Sequence, residues 1–131
     1  MSKILVIDDE PMIGNSIKMM LETGGAHEVL LALTAKDGLS MAARHRPDII
    51  LLDIVMPDMS GLDLLHLLKT KRRTCLIPVI MLTGVSDPAS VDKAMADYAE
   101  EYLVKPVGRA QLLAAIEHAI THRIRLGKSS N

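Results

Sequence analysis

Short aliphatic runs alternate along this chain with stretches of helical periodicity. Nearly continuous apolar runs fall at Lys3–Ile7, Val29–Leu33, Asp48–Leu52, Val79–Leu82 and Tyr102–Val104. Several lack the apolar–polar alternation of a half-exposed strand, which suits strands covered on both faces. Between the runs, apolar residues return every three or four positions. Ile13, Ile17, Met20 and Leu21 mark a first helix, Ala35 to about Ala43 a second, and Leu62 to about Leu68 a third. Val91, Ala94 and Met95 mark a fourth. Leu112, Leu113, Ile116, Ala119, Ile120 and Ile124 mark a fifth.

Local signals support the helix starts. Pro11 suits a first helical position, and Asp87-Pro88 reads as an N-cap followed by such a proline. Thr34 and Ser60 each precede an acid by three residues, Asp37 and Asp63, in the manner of a capping box. Gly24-Gly25 closes the first helix, and Gly108 is a weaker cap for the last. The order βαβαβαβαβα predicts parallel strands with right-handed crossovers. The expected fold is a doubly wound, flavodoxin-like five-stranded sheet with order 2-1-3-4-5. One domain is expected over residues 1–126. Residues 127–131 read as a frayed helix end or the start of a linker.

Composition narrows the function classes. The chain has 131 residues, 49% of them hydrophobic, with no Trp or Phe and two Tyr. The core must then come from Leu, Ile, Val, Ala and Met, and nine Met offer adaptable contacts. A chain of this size buries roughly two-thirds of its unfolded surface. Fifteen basic and sixteen acidic residues leave a net charge of −1, unlike a domain that binds nucleic acid through a basic surface. The run of Lys69, Lys71, Arg72 and Arg73 reads as a solvated helix end. Cys75 is the single cysteine, so no internal disulfide forms, and a reducing cytoplasm is expected. With no basic-then-apolar leader and no run of about 18 apolar residues, no membrane association is expected.

In such a sheet, chemistry gathers at the carboxyl ends of the strands. The first strand delivers Asp8, Asp9 and Glu10; the third delivers Asp53; the fourth, Thr83 and Gly84; the fifth, Lys105 and Pro106. The first and third strands should be neighbours, so Asp8, Asp9 and Asp53 converge. Clustered carboxylates repel unless a cation intervenes. A hard divalent ion with oxygen ligands answers this, and Mg²⁺ fits best because it keeps waters or phosphate oxygens in its octahedron. With a lysine and a hydroxyl opposite, the edge suits an incoming phosphoryl group. Asp53 is then the candidate nucleophile, forming an acyl phosphate. Taken singly, each residue has a plainer reading as a cap, a strand former or a solvated side chain. It is their joint occurrence on four strands that points to a site.

The set Asp8-Asp9, Asp53, Thr83 and Lys105-Pro106, with Asp53-Ile54-Val55-Met56-Pro57 and Gly61, resembles the receiver domain of two-component response regulators. The resemblance, of the chemotaxis-regulator kind, covers roughly residues 3–124. It implies a phosphorylation-activated switch of a bacterial, cytoplasmic phosphorelay with no enzymatic activity beyond its own phosphotransfer and slow self-dephosphorylation. It implies that Asp53 is the phospho-acceptor and that Asp9, Asp53 and the Val55 carbonyl bind Mg²⁺, with Asp8 acting through water. It further implies that Lys105 contacts phosphoryl oxygens and that the Lys105–Pro106 bond is cis. Thr83 would move toward the phosphoryl group, and Tyr102 would turn inward with it; as a plain strand aromatic, Tyr102 would do neither. A histidine kinase or phosphotransfer protein is the implied donor. An effector would read the face made by the fourth helix, fifth strand and fifth helix, and phosphorylation could bring a homodimer.

Some residues depart from the family's pattern. Tyr98 stands where glycine is frequent, and a bulky residue does not easily adopt a left-handed cap, so the fourth helix is expected to end differently. Val107 stands where Phe is frequent. Gly84 leaves the site open beside Thr83. Val55 and Val85, two beyond Asp53 and Thr83, are apolar and cannot position an attacking water, so slow self-dephosphorylation is expected.

Three rival readings remain. A phosphatase of the haloacid-dehalogenase type would want a second Asp where Val55 stands. A phosphorylation-independent receiver-like interaction module would have no need of the acids, Thr83 and Lys105. Flavin binding would want a glycine- or hydroxyl-rich first turn, and this one is acidic. His118 and His122 lie one helical turn apart and could share a metal, but with no third ligand nearby in sequence a solvated face is favoured.

Overall fold

The computed structural model describes the backbone of residues 2–129 and the side chains of residues 2–123. The elements are β1 (Ser2–Ile7), α1 (Pro11–Glu22), β2 (His27–Ala32), α2 (Ala35–His45), β3 (Ile49–Leu52), α3 (Gly61–Thr70), β4 (Val79–Thr83), α4 (Pro88–Ala96), β5 (Glu101–Val104) and α5 (Arg109–Ser129). The strands form one parallel sheet in the order β2-β1-β3-β4-β5. Ile124, expected on the apolar face of the fifth helix, lies outside the described side chains. Among the described residues, no helix is long and apolar enough to cross a membrane.

The solid aliphatic runs are explained by two cores, one on each face of the sheet. Successive strand side chains point to opposite faces. Leu5, Ile7, Ile50, Leu52, Val79 and Met81 therefore pack under α2, α3 and α4. Ile4, Val6, Ile49, Leu51, Ile80 and Leu82 pack under α1 and α5. Each fully buried aliphatic side chain contributes about 1.5–3 kcal/mol. A polar residue on either face would interrupt a core, so β3 and the buried Ile4–Ile7 part of β1 carry none, and β4 carries only Thr83, at its last position.

Most caps follow the sequence signals. The Thr34 hydroxyl accepts from the Asp37 N–H at 3.1 Å, and Asp87 accepts from the Ser90 N–H at 3.0 Å. The Ser60 hydroxyl instead accepts from Leu62, one residue earlier than a capping box requires. Gly24 and Gly25, at φ +95° and +77°, turn the chain after α1.

Three expectations need correction. The second strand begins at His27 rather than Val29, because pairing with β1 starts at Ser2 opposite His27, and it ends at Ala32. Tyr98 does adopt the left-handed conformation, at φ +67°. It completes a Schellman motif: the Ala99 N–H reaches the Ala94 carbonyl at 3.1 Å, and the Tyr98 N–H reaches that of Met95 at 3.2 Å. Ala94 and Ala99 are both buried in the same core, supplying the motif's apolar contact. Two satisfied carbonyls and that contact offset a strain of about 1–2 kcal/mol. Lys69 is not a solvated helix end. Its Nζ donates to the Ile77 carbonyl at 2.8 Å, and burial pushes its pKa below the ordinary value.

Candidate functional site

Sheet register assembles the acidic edge. Ile7 pairs with Leu52, so Asp8 and Asp53 leave adjacent strands side by side. Backbone bonds continue past both strand ends. The Asp8 N–H donates to Ala32 at 3.0 Å, and the Asp53 N–H donates to Ile7 at 3.0 Å. Both carboxylates are consequently held at the sheet rather than in loose loops, and both are buried, at 3% and 5% exposure.

Each carboxylate divides its oxygens between backbone and lysine. Asp8 Oδ1 accepts the Glu10 N–H at 3.0 Å, and Asp53 Oδ1 accepts the Ile54 N–H at 2.7 Å. Lys105 Nζ lies 2.6 Å from Asp8 Oδ2 and 3.1 Å from Asp53 Oδ2. Burial alone pushes the Lys105 pKa down. The hydrogen bond to Asp8 and the charges of Asp53 and Asp8 outweigh it, and the value lies above the ordinary one. The lysine, expected as a fixed positive charge beside the acids, lies directly between the two carboxylates.

Asp9 lies with Asp8 and Glu10 at the exit of β1. Ligand oxygens of Asp8, Asp9 and Glu10 lie within 4.8 Å of one another, and Asp53 joins this trio through Lys105. Glu10, named in the sequence only as a strand-exit residue, is part of the cluster. Its adjacency to Asp9 was the available signal. An oxygen-only donor set with one buried, one half-buried and one exposed carboxylate fits a hard cation that keeps water ligands.

The remaining residues surround the acids. Thr83 is fully buried at the end of β4, and its hydroxyl accepts the Val85 N–H at 3.3 Å. The Lys105 N–H donates to the Thr83 carbonyl at 2.9 Å, tying β5's exit to β4's. The Lys105–Pro106 peptide is cis. A Cβ at Gly84 would meet nothing within 4 Å, so the space beside Thr83 is open. Tyr102 packs on the core and its hydroxyl donates to the Val85 carbonyl, in the same loop that Thr83 enters. Burial, then the charges of Asp87 and Asp53, raise its pKa. Val55 is 61% exposed at the mouth of the site.

Two supports were not argued from sequence. A Cβ on Gly61 would sit 1.9 Å from the Asp53 carbonyl oxygen, so only glycine lets α3 start against the residue that carries the carboxylate. Asp58, in the loop between β3 and α3, accepts the N–H groups of Ala35 at 3.0 Å and Lys36 at 2.9 Å. It caps α2 from outside that helix, and this tertiary pairing left no local signal.

Comparison with known proteins agrees with the fold. The family model described as "Response regulator receiver domain" matches residues 4–117. The chain is 38% identical to the transcriptional regulatory protein KdpE of Mycobacterium tuberculosis over 92% of its own length and 51% of that protein's. It thus spans about half of that relative. It is 36% identical to the protein PilH of Pseudomonas aeruginosa, covering 88% of this chain and 95% of that one. A crystal structure of a response regulator receiver domain protein from Clostridium thermocellum superposes with a TM-score of 0.88 at 39% identity, covering 96% and 99% of the two chains.

Proposed function

Because this chain belongs to the response regulator receiver family, a family of phosphorylation-activated signalling switches, we propose that Asp53 is the residue that carries its phosphoryl group. The observation that carries this reading is the environment of Asp53. It is a buried carboxylate at a strand end, with one oxygen held by backbone N–H and the other 3.1 Å from an ammonium.

The donor is a phosphohistidine of a kinase or phosphotransfer protein. A carboxylate oxygen of Asp53 attacks phosphorus, the P–N bond breaks, and the imidazole leaves with the acyl phosphate formed. Asp8, Asp9, Asp53 and the Val55 carbonyl would hold Mg²⁺, with Glu10 beside them. The ion, when bound, offsets negative charge on the phosphoryl oxygens. Lys105 is already in place to contact the same oxygens, and doing so releases its hold on Asp8 or Asp53. Thr83 supplies the hydroxyl donor: its oxygen accepts from the Val85 N–H, which leaves its own proton free for the phosphoryl group. Receiver domains catalyse only their own phosphotransfer and dephosphorylation.

The switch would run from Thr83 through Val85 to Tyr102, since Val85 bonds both. Phosphorylation adds nearly two negative charges, and the state that lets Thr83 and Lys105 pair with them is favoured by that difference. The α4–β5–α5 face is the proposed output. It exposes Met95, Tyr98 and Val104, an apolar set suited to an effector.

The test is incubation with Mg²⁺ and a small phosphodonor or beryllofluoride, followed by mass and NMR. One adduct per chain is expected, absent from Asp53→Ala. No adduct, or one that persists in Asp53→Ala, refutes the assignment.

A further inference from the structure

On the far side of the molecule from the acids' chemistry, α5 presents His118 and His122 on one exposed face. Their ring centroids are 6.5 Å apart and the rings are nearly perpendicular, at 80°. Two imidazoles bound to one tetrahedral ion have centroids about 5 Å apart, from metal–nitrogen bonds of about 2.0–2.1 Å. Side-chain rotation alone closes that difference, because both rings stand one turn apart on an existing helix. They line one shallow depression together with Ala114, Glu117 and Thr121.

The third observation concerns the tautomer. His122 Nδ1 lies 3.2 Å from Glu100 Oε2, across from the loop between α4 and β5. A carboxylate at Nδ1 holds the proton there and leaves Nε2 bare, which is the ligating form. Glu100 is 22 residues from His122 in sequence, so the spacing rule that discounted this pair did not see it. Glu100 is itself anchored, its N–H donating to Val79 at 2.8 Å.

We propose that His118 and His122, with Glu100 orienting the second ring, form a binding site for a borderline divalent transition metal of the Zn²⁺ class. Nitrogen ligands select such ions over Mg²⁺, which the carboxylate cluster prefers. Among the described residues no third ligating side chain completes a ready-made cluster here, so water or a partner's side chain fills the remaining positions. The bound ion clips one turn of α5 and adds positive charge to the α4–β5–α5 face. Metal binding is thereby coupled to the surface proposed to meet the effector, and it does not depend on Asp53.

The experiment titrates the full chain with ZnCl₂ in saturating Mg²⁺, by calorimetry and by NMR of the imidazole and amide signals. One Zn²⁺ per chain is expected, with shifts at His118, His122 and Glu100 and none at Asp8–Glu10. His118→Ala and His122→Ala should each weaken binding at least tenfold, and Glu100→Gln about tenfold. All three side chains lie at the surface or are half-buried, so circular dichroism should show unchanged folds. Asp53→Ala should bind Zn²⁺ as the native chain does. Uptake centred on the acids or on another histidine, or uptake unchanged in the double His118→Ala/His122→Ala variant, overturns the proposal.

Discussion

Asp8 and Asp53 share the ammonium of Lys105, 2.6 Å from the first carboxylate and 3.1 Å from the second. Two buried acids on neighbouring strands repel, and the lysine removes that repulsion. Replacing it with Lys105→Met should cost about 2 kcal/mol of stability in the absence of divalent ions. Added Mg²⁺ should restore part of it. Urea denaturation with and without Mg²⁺ reads both effects, and a variant as stable as the native chain in either condition contradicts the account.

The same pair sets a pH dependence. The folded-state pKa of Lys105 is raised above the ordinary 10.5, so its contribution is complete below that value. It is lost only as pH rises through the raised folded-state pKa. The stability gap between native protein and Lys105→Met should therefore hold constant from about pH 7 to 9. A gap that halves across that interval would mean the lysine is not held in this way.

Gly61 should tolerate no side chain. A Cβ there would lie 1.9 Å from the Asp53 carbonyl oxygen, and backbone must move to admit it. Gly61→Ala should destabilise by about 2–3 kcal/mol and slow phosphoryl uptake, since Asp53 moves with its carbonyl. Denaturation midpoints and adduct formation rates measure the two consequences separately.

Asp58 couples the loop after β3 to α2. Bonds from the Ala35 and Lys36 N–H groups hold its pKa below the ordinary 3.8. A depressed acid stabilises above its unfolded pKa and loses that contribution as pH falls through the folded value. Asp58→Asn should melt at a lower temperature than native protein at pH 7, with the difference closing below pH 3.8. Equal melting temperatures at pH 7 would assign the cap no energetic role.

Tyr98→Gly should stabilise the chain by about 0.5–1 kcal/mol. The left-handed strain at φ +67° is relieved, and the tyrosine, 77% exposed, gives up little burial. Chemical denaturation is the measure, and a destabilised glycine variant would show that the ring contributes more than its exposure implies.

Self-dephosphorylation should be slow, because Val55 and Val85 offer no group to orient water. Val55, exposed at the mouth, can be changed without disturbing the core. Val55→Asn should shorten the acyl-phosphate lifetime several-fold in a labelled-phosphate decay assay. A native half-life of seconds, unmoved by the substitution, would end this explanation.

The sequence by itself determined the sheet and the chemical type of its active edge. Uninterrupted runs such as Asp48–Leu52 and Val79–Leu82 are readable because strands buried on both faces need apolar residues at every position. Asp8, Asp53, Thr83 and Lys105 are readable because each directly follows or ends such a run. The gathering of Asp8, Asp9, Asp53 and Lys105 at one edge followed from strand order, but the individual bonds made through space did not. Lys105 between two acids, Asp58 on the N-terminus of α2, Lys69 on Ile77 and Glu100 on His122 join residues with no fixed spacing. Tyr98 shows the same limit within one turn of chain. Local propensity argues against a left-handed tyrosine, and only the buried contact of Ala94 with Ala99's core and two closed hydrogen bonds decide for it. Propensities of a few tenths to one kcal/mol are local, whereas packing and burial are summed over the whole fold and prevail where the two conflict.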